Sequence, residues 1–116
     1  MKRLLLLPFF ILFLTACEKD PDTGDLLIIF EYDGVNQEHV ECTLYSSWEN
    51  LISYTFLEEQ ISDELGEVFF TDLLPGWYYY EARKEFSSLF SVSIIDSVKI
   101  DALLQSNKRA LLLPDK

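Results

Sequence analysis

Apolar and polar side chains alternate along several short segments of this chain, and a period of two predicts β-strands. The clearest case is the segment 26–32, where Leu, Ile, Phe and Tyr stand at every second position before the turn signal Asp33-Gly34. Similar alternation predicts six more strands, at 40–45, 52–57, 68–70, 77–84, 90–100 with a bend near Asp96, and 109–113. The polar stretch 58–64 has too few apolar positions for a packed helix, and we expect a loop there with at most one helical turn.

Seven short strands with turns at nearly regular spacing are typical of an all-β protein. The chain has 116 residues, which is enough for one domain and too few for a second. We therefore expect a single antiparallel seven-stranded β-sandwich over residues 25–116.

Residues 1–16 have the pattern of an export signal. Lys2 and Arg3 supply the positive start, and positions 4–14 form an apolar run that only Pro8 interrupts. As a helix this run would span about 16 Å, roughly half of the 30 Å hydrocarbon core of a bilayer. We expect 1–16 to be a signal peptide that is removed, and not a spanning anchor.

The motif Leu14-Thr15-Ala16-Cys17 ends this segment and resembles the lipobox of bacterial lipoproteins, in which a small residue precedes the lipid-bearing Cys. The resemblance implies cleavage between Ala16 and Cys17, diacylation of Cys17 through a thioether, and acylation of the new amine. Two or three acyl chains give a stable anchor, because a single chain binds a bilayer only marginally. The alternative is an ordinary signal peptide that happens to carry a Cys.

The segment 18–24 is polar, contains Pro21 and Gly24, and has no periodicity, which is typical of a linker. Residues 17–24 are therefore expected to be a lipidated Cys and an acidic tether, whose reach of about 23–25 Å keeps the domain close to the membrane. The acidic stretch after Cys17 resembles the export signal that sends some Gram-negative lipoproteins to the outer face of the outer membrane. The expected location is the bacterial cell envelope, lipid-anchored in the outer membrane and exposed at the surface.

The segment 63–82 resembles the signature of transthyretin-like sandwich modules, which include the Cna protein B-type repeats and the carboxypeptidase regulatory-like domains. Their pattern is Asp-x-x-Gly, a strand containing Phe, then Leu-x-Pro-Gly and an aromatic-rich strand; here it begins at Asp63 and Gly66 and continues through 73–82. The resemblance implies the sandwich fold and says almost nothing about function. Pilin and adhesin versions form an isopeptide bond from a Lys on the first strand, and 25–32 contains no Lys, so we expect no such bond.

Charge and composition exclude some classes of function. The chain has 9 Lys and Arg against 20 Asp and Glu, a net charge of −11, and 49% apolar residues. That apolar share is too high for a disordered chain, and so few cations argue against nucleic acid as a partner. Removal of 16 residues that include Lys2 and Arg3 but no acid leaves 100 residues with a net charge of −13.

The sequence offers little for catalysis or metal binding. His39 is the single histidine and stands beside a predicted turn, with no Ser and Asp that can be placed around it. Glu38, His39 and Glu41 fall on alternating faces of a strand and do not converge on a metal. Cys42 lies on the apolar side of the strand 40–45, which predicts a small core residue rather than a reactive thiol. We therefore expect no enzyme, no catalytic residue, no metal and no other cofactor.

Aromatic side chains are the better candidates for binding. On the predicted fifth strand, Trp77 and Tyr79 point to one side, and Tyr78 and Tyr80 to the other. The resemblance places the second pair in the core, which leaves Trp77 and Tyr79 side by side on an outer face, with Trp48 on a nearby loop. Exposed rings about 7 Å apart suit stacking on a sugar or a protein interface. The alternative is cross-strand packing that only stabilises the sheet.

These observations lead to two expectations about function. The first is a lipid-anchored bacterial envelope protein whose non-catalytic β-sandwich is a structural or protein-binding module, held to the membrane through Cys17 and bound to an unidentified envelope protein. The alternative is a carbohydrate-binding accessory lipoprotein that uses the exposed aromatic residues Trp77 and Tyr79, with a glycan as its ligand.

Overall fold

The computed structural model describes residues 22–115, and the expectations for Ala16 and Cys17 lie outside this range. The described chain is mostly β, as predicted, with one short helix. Its elements are β1 (Gly24–Tyr32), β2 (Val35–Asn36), β3 (Glu41–Tyr45), α1 (Trp48–Ile52), β4 (Glu58–Ile61), β5 (Glu67–Leu73), β6 (Gly76–Ser87), β7 (Phe90–Ile100), β8 (Gln105–Leu111) and β9 (Leu113–Pro114). No helix between residues 22 and 115 is long and apolar enough to cross a membrane.

β1 is the central strand of the first sheet. It pairs antiparallel with β5 along most of its length, and its last two residues pair antiparallel with β2. On its other side β1 runs parallel to β8, from Asp25 opposite Gln105 to Glu31 opposite Leu111. The expectation of purely antiparallel pairing is wrong here, because β8 arrives from the second sheet and runs in the direction of β1.

The second sheet has the strand order β4-β3-β6-β7-β9 and is antiparallel throughout. Its longest pairing is the β6–β7 hairpin, which extends from Gly76 opposite Ile100 to Ser87 opposite Phe90. The expected bend near Asp96 does not interrupt this pairing, since Asp96 stands opposite Tyr80 within a continuous stretch.

The buried faces of the two sheets share one hydrophobic cluster. β1 contributes Leu26, Ile28 and Phe30, all fully buried, as the period of two predicts. The second sheet contributes Tyr80, whose ring meets that of Phe30 edge-on at a centroid distance of 6.4 Å. Further members are Val40, Cys42, Leu44, Val68, Phe70, Leu73, Tyr78, Ala82, Val92, Val98, Ile100, Ala110 and Leu112. Burial of one large apolar side chain contributes about 1.5–3 kcal/mol, so this cluster is the main source of stability.

The connection between β3 and β4 differs from the prediction. Ser47 caps α1, because its Oγ accepts a hydrogen bond from the N–H of Asn50 at 3.0 Å. The predicted strand 52–57 is therefore wrong: the end of the helix and a turn occupy 52–54, and 55–57 is not a strand. The stretch 58–61, expected in a loop, is instead the edge strand β4. An edge strand needs no buried face and tolerates charged side chains, which is why alternation does not reveal it. Residues 22–115 thus form nine strands, two of them only two residues long.

The strand connections gather at two ends of the molecule. At the tether end, where residue 23 leads into β1, lie the β3–β4 connection 46–57, the β5–β6 turn 74–75 and the β7–β8 loop 101–104. At the far end lie the β1–β2 turn 33–34, the β4–β5 turn 62–66 and the β6–β7 turn 88–89. Gly66 has a φ of 80°, which fits the glycine that the sequence places in the β4–β5 turn.

Candidate functional site

The predicted aromatic face lies on the outer side of the second sheet. α1 begins at Trp48 and brings its indole against Tyr79, with ring centroids 5.6 Å apart and an interplanar angle of 65°. Trp77 lies on the same face of β6, two residues before Tyr79, and pairs with Lys99 of β7. Trp77 is 59% exposed and Trp48 47%, so both indoles are open to a ligand.

A shallow depression beside this pair adds polar groups to the aromatic ones. Its lining combines Trp48 and Tyr79 with Ile95, Asp96 and Ser97 of β7. Ser97 stands opposite Tyr79 in the β6–β7 pairing, so its hydroxyl lies on the aromatic face. Asp96 instead stands opposite the buried Tyr80, and its carboxylate pairs with the ammonium of Lys108 at 3.1 Å. A ring face next to a hydroxyl offers a sugar both stacking and a hydrogen bond.

Part of the same face performs ordinary cross-strand packing. Tyr45 stands opposite Tyr79 in the β3–β6 pairing and is only 3% exposed, although it lies on the outer side of the sheet. Burial raises the pKa of the Tyr45 hydroxyl, and the nearby carboxylates of Glu81 and Glu59 raise it further. The phenol therefore stays neutral. Tyr79 thus packs in the sheet as well as facing the depression, while Trp77 is the most exposed of the three predicted residues.

A second aromatic surface lies at the far end. The rings of Phe86 and Phe90 stack at 5.6 Å, and Tyr32 contacts them at 5.7 Å and 6.0 Å. Leu89 sits at the tip of the β6–β7 hairpin and is 95% exposed. The ammonium of Lys84 lies 5.0 Å from the centre of the Phe86 ring. We call Tyr32, Phe86, Leu89 and Phe90 the hairpin ledge.

The hairpin ledge was not predicted from the sequence, for two reasons. β6 and β7 continue past Tyr32, the last residue of β1, so the aromatic side chains at the end of the hairpin meet the first sheet only through Tyr32 and stay partly exposed. A register shift between Glu85 and Ser87 also breaks the alternation at Phe86. The signal that could have revealed it is the segment 85–90, where two Ser residues between two Phe residues predict a turn with aromatic flanks.

The residues considered for chemistry lie apart from both surfaces. His39 is exposed, and its nearest acid is Glu38 at 4.0 Å, so it is the surface histidine that the sequence predicts. Cys42 is fully buried in the core, as predicted, and burial raises the pKa of its thiol. Within residues 22–115 no group of three His, Cys, Asp or Glu side chains is placed to hold a metal ion.

Comparison with known proteins adds no residue to these candidates. The sequence matches no known family model, and no curated protein is similar to it.

Proposed function

We propose that this chain is a lipid-anchored protein of the bacterial cell envelope, whose transthyretin-like β-sandwich binds another envelope protein without catalysis. Three features of the sequence support this proposal: the lipobox ending at Cys17, the short tether 18–24, and the motif 63–82. The positive φ angles of Gly66 and Gly76 agree with turns that the motif reserves for glycine. The acidic stretch after Cys17 favours the outer membrane and its outer face.

The hairpin ledge is the observation that carries the proposal. Contiguous exposed apolar side chains surrounded by polar ones are typical of protein interfaces, because water contact with them is costly. Leu89 projects beyond the last pair of the hairpin, and the rings of Phe86 and Phe90 offer a flat surface below it. The ledge lies at the opposite end of the fold from the tether. It therefore faces away from a membrane that holds Cys17 and is accessible to another protein.

Charge near the ledge indicates the chemistry of the partner. The far-end segments 33–34, 62–66 and 85–90 contain four acidic residues, against which stands Lys84, whose ammonium lies over the Phe86 ring. Complementary charges steer partners together and exclude wrong ones. We therefore expect a partner that presents an apolar patch bordered by basic side chains.

Photo-crosslinking in intact cells tests this function. A photoreactive amino acid replaces Leu89 in the lipidated protein, and the same replacement at Leu111, an exposed leucine on β8, is the control. We expect one defined crosslinked species from position 89 that is absent from position 111. Phe86→Ser with Phe90→Ser should abolish it. Equal crosslinking at both positions, or none at 89, would contradict a binding role for the ledge.

The anchor is tested separately. Cys17→Ser should move the protein from the membrane fraction to the soluble fraction, because the acyl chains supply most of the membrane affinity. Mass spectrometry of the N-terminal peptide should show acyl groups on Cys17. Unchanged membrane fractionation of Cys17→Ser would refute the lipobox prediction.

Carbohydrate binding is the second candidate, and the depression beside Trp48 and Tyr79 favours it. A glycan array with the purified protein should identify a ligand whose affinity falls about tenfold or more in Trp48→Ala, since stacking and desolvation at one aromatic are worth about 1.5 kcal/mol or more. Trp77→Ala tests the third predicted ring in the same way. If no glycan binds, or if neither substitution weakens binding, this candidate is rejected.

A further inference from the structure

The tether end exposes apolar side chains around the point where the chain enters the domain. Leu74 and Trp77 flank the β5–β6 turn, and Leu103 and Leu104 form the tip of the β7–β8 loop. All four are more than half exposed. We call these four side chains the tether-end rim. In contrast to the hairpin ledge, the rim lies beside the segment that leads back to the predicted anchor.

The β7–β8 loop is fixed to this segment through its backbone. The N–H of Leu103 donates to the carbonyl of Thr23 at 2.9 Å, and the N–H of Asp25 donates to the carbonyl of Leu104 at 3.0 Å. Gly24 lies so close to the loop that a Cβ on it would stand 2.3 Å from a loop carbonyl oxygen. The rim therefore keeps a fixed position relative to the start of β1.

Leu103 holds a backbone conformation that leucine disfavours. Its φ is 64°, in the left-handed region, where a Cβ is crowded. Its side chain is 74% exposed, so packing within the domain does not compensate for this conformation. Strain of this kind persists at positions where the surrounding structure imposes it, and it is concentrated at functional sites.

We infer that the tether-end rim lies in the interfacial layer of the bilayer, with Trp77 and Leu103 at the level of the headgroups. The inference rests on the proposed anchor at Cys17, which precedes Gly24 by seven residues, so that the rim lies within about 25 Å of the lipid. Indole favours this layer because it combines an apolar ring with an N–H donor. The rim binds weakly on its own, and the anchor keeps it at a high effective concentration near the membrane.

Charge near the rim selects the kind of bilayer. Asp25, Asp72 and Asp101 lie at the tether end, and Lys99 stands opposite Trp77 in the β6–β7 pairing. These acids outnumber the cation, so an anionic surface repels this end of the domain. The rim is therefore expected on zwitterionic headgroups such as phosphatidylcholine or phosphatidylethanolamine, and added phosphatidylglycerol should weaken the contact.

The two tryptophans of the chain allow a direct test. Trp48→Phe leaves Trp77, in the rim, as the single fluorescent indole. The lipidated variant is reconstituted into phosphatidylcholine vesicles with or without brominated acyl chains, and its Trp77 emission is compared. Bromine quenches indoles that enter the bilayer. We expect Trp77 emission to fall at least about twofold in brominated vesicles, since interfacial side chains lie about 5–10 Å deep.

A far-end reporter supplies the matched control. Leu89→Trp in a chain that also carries Trp48→Phe and Trp77→Phe should not be quenched, because the hairpin tip points away from the bilayer. Leu103→Ser in the Trp48→Phe chain should reduce the quenching of Trp77 while the protein still floats with the vesicles. Equal quenching of the rim and far-end reporters in floating protein would refute the membrane contact and assign the rim to a protein partner or a second copy of this chain. Protein that does not float would refute the anchor itself, and with it the contact.

Discussion

The two ends of the molecule both expose apolar side chains and both are acidic, but they differ in how they are joined to the rest of the chain. Asp25, Asp72 and Asp101 lie near the rim, and the far-end segments 33–34, 62–66 and 85–90 contain four acidic residues. The rim is tied by hydrogen bonds to the start of β1, while the ledge projects on a hairpin. Exposed apolar area alone therefore does not identify a partner. The path of the chain, with the predicted anchor beside one end only, is the basis for proposing a membrane contact at that end and a protein contact at the other.

The two surfaces also arise from different features of the fold. The ledge exists because β6 and β7 are longer than β1, so the first sheet stops before the hairpin does. In the rim, Leu74, Leu103 and Leu104 belong to connections between strands, whereas Trp77 lies at the start of β6 on the outer side of the second sheet. The ledge is therefore exposed because the two sheets differ in length, and the rim because its side chains lie in loops or on an outer face.

The largest expected effect comes from the core that joins the two ends. Phe30→Ala should lower the free energy of unfolding by about 3–5 kcal/mol, because Phe30 is fully buried against Tyr80 and its removal leaves a cavity. Phe69→Ala is the control, since Phe69 is exposed on β5 and should cost less than about 1 kcal/mol. Urea denaturation measures both values. Similar losses in the two variants would contradict the placement of the core.

Substitution of one glycine at each end compares how tightly the backbone is packed there. Gly24→Ala should destabilise the protein by about 1–3 kcal/mol, because its Cβ would overlap a carbonyl oxygen of the β7–β8 loop. Gly34→Ala, at the far end, meets no atom within 4 Å and should cost only about 1 kcal/mol from its φ of 81°. Hydrogen exchange should show faster opening of the β7–β8 loop in Gly24→Ala alone. Equal opening of that loop in both variants would remove the proposed coupling of tether and rim.

Some of these features could be predicted from the sequence and others could not, and the difference has a physical basis. Alternation places the side chains of 26–32 and of Cys42 correctly, because burial on one face imposes a period of two. It fails at 52–57, where the cap at Ser47 begins a helix, and at the edge strand 58–61, which has no face to bury. The parallel partner of β1 is 80 residues away in sequence, and no local pattern encodes it.

The same limit applies to the candidate surfaces. Trp48, Trp77 and Tyr79 stand out in the sequence as aromatic residues, and the structure places all three on one outer face. The hairpin ledge depends on the relative lengths of strands in two sheets, and the rim on loops that meet only after folding. Properties of this kind follow from tertiary structure, so a single sequence does not contain a direct signal for them.

A smaller effect concerns the strained leucine of the rim. Leu103→Gly should raise the free energy of unfolding by about 0.5–1 kcal/mol, because relief of the left-handed strain exceeds the added entropy of the unfolded chain. Leu104→Gly, which has no positive φ, should lower it slightly. Thermal unfolding compares the two. If Leu103→Gly also reduces the quenching of Trp77 emission in vesicles, Leu103 favours membrane contact at the expense of stability. If Leu103→Gly instead lowers the free energy of unfolding, the left-handed conformation carries no strain.

The smallest effect is a pH dependence confined to the far end. Asp115 accepts hydrogen bonds from Ser91 and Ser93 and pairs with Arg83, and these contacts lower the pKa of its carboxyl group. Because this carboxyl group has a lower pKa in the folded protein than in the unfolded one, it stabilises the fold at pH values above the unfolded-state pKa. This stabilisation is lost as the pH falls through the folded-state pKa. Below about pH 4, the ordinary range of a carboxyl group, β9 should therefore loosen on β7.

Hydrogen exchange of the Asp115 amide, which donates to the carbonyl of Ser91 at 2.9 Å, measures this loosening. In Asp115→Asn, the exchange rate of the residue 115 amide, corrected for the intrinsic rate, should depend little on pH, because the titrating carboxyl group is gone. Trp77 emission should not change over the same range, because β9 pairs with Val92 and Ser93 while Trp77 pairs with Lys99, at the other end of β7. If Trp77 emission changes at a higher pH than the one at which the Asp115 amide begins to exchange faster, acid acts on the whole fold. The two ends would then respond to pH as one unit.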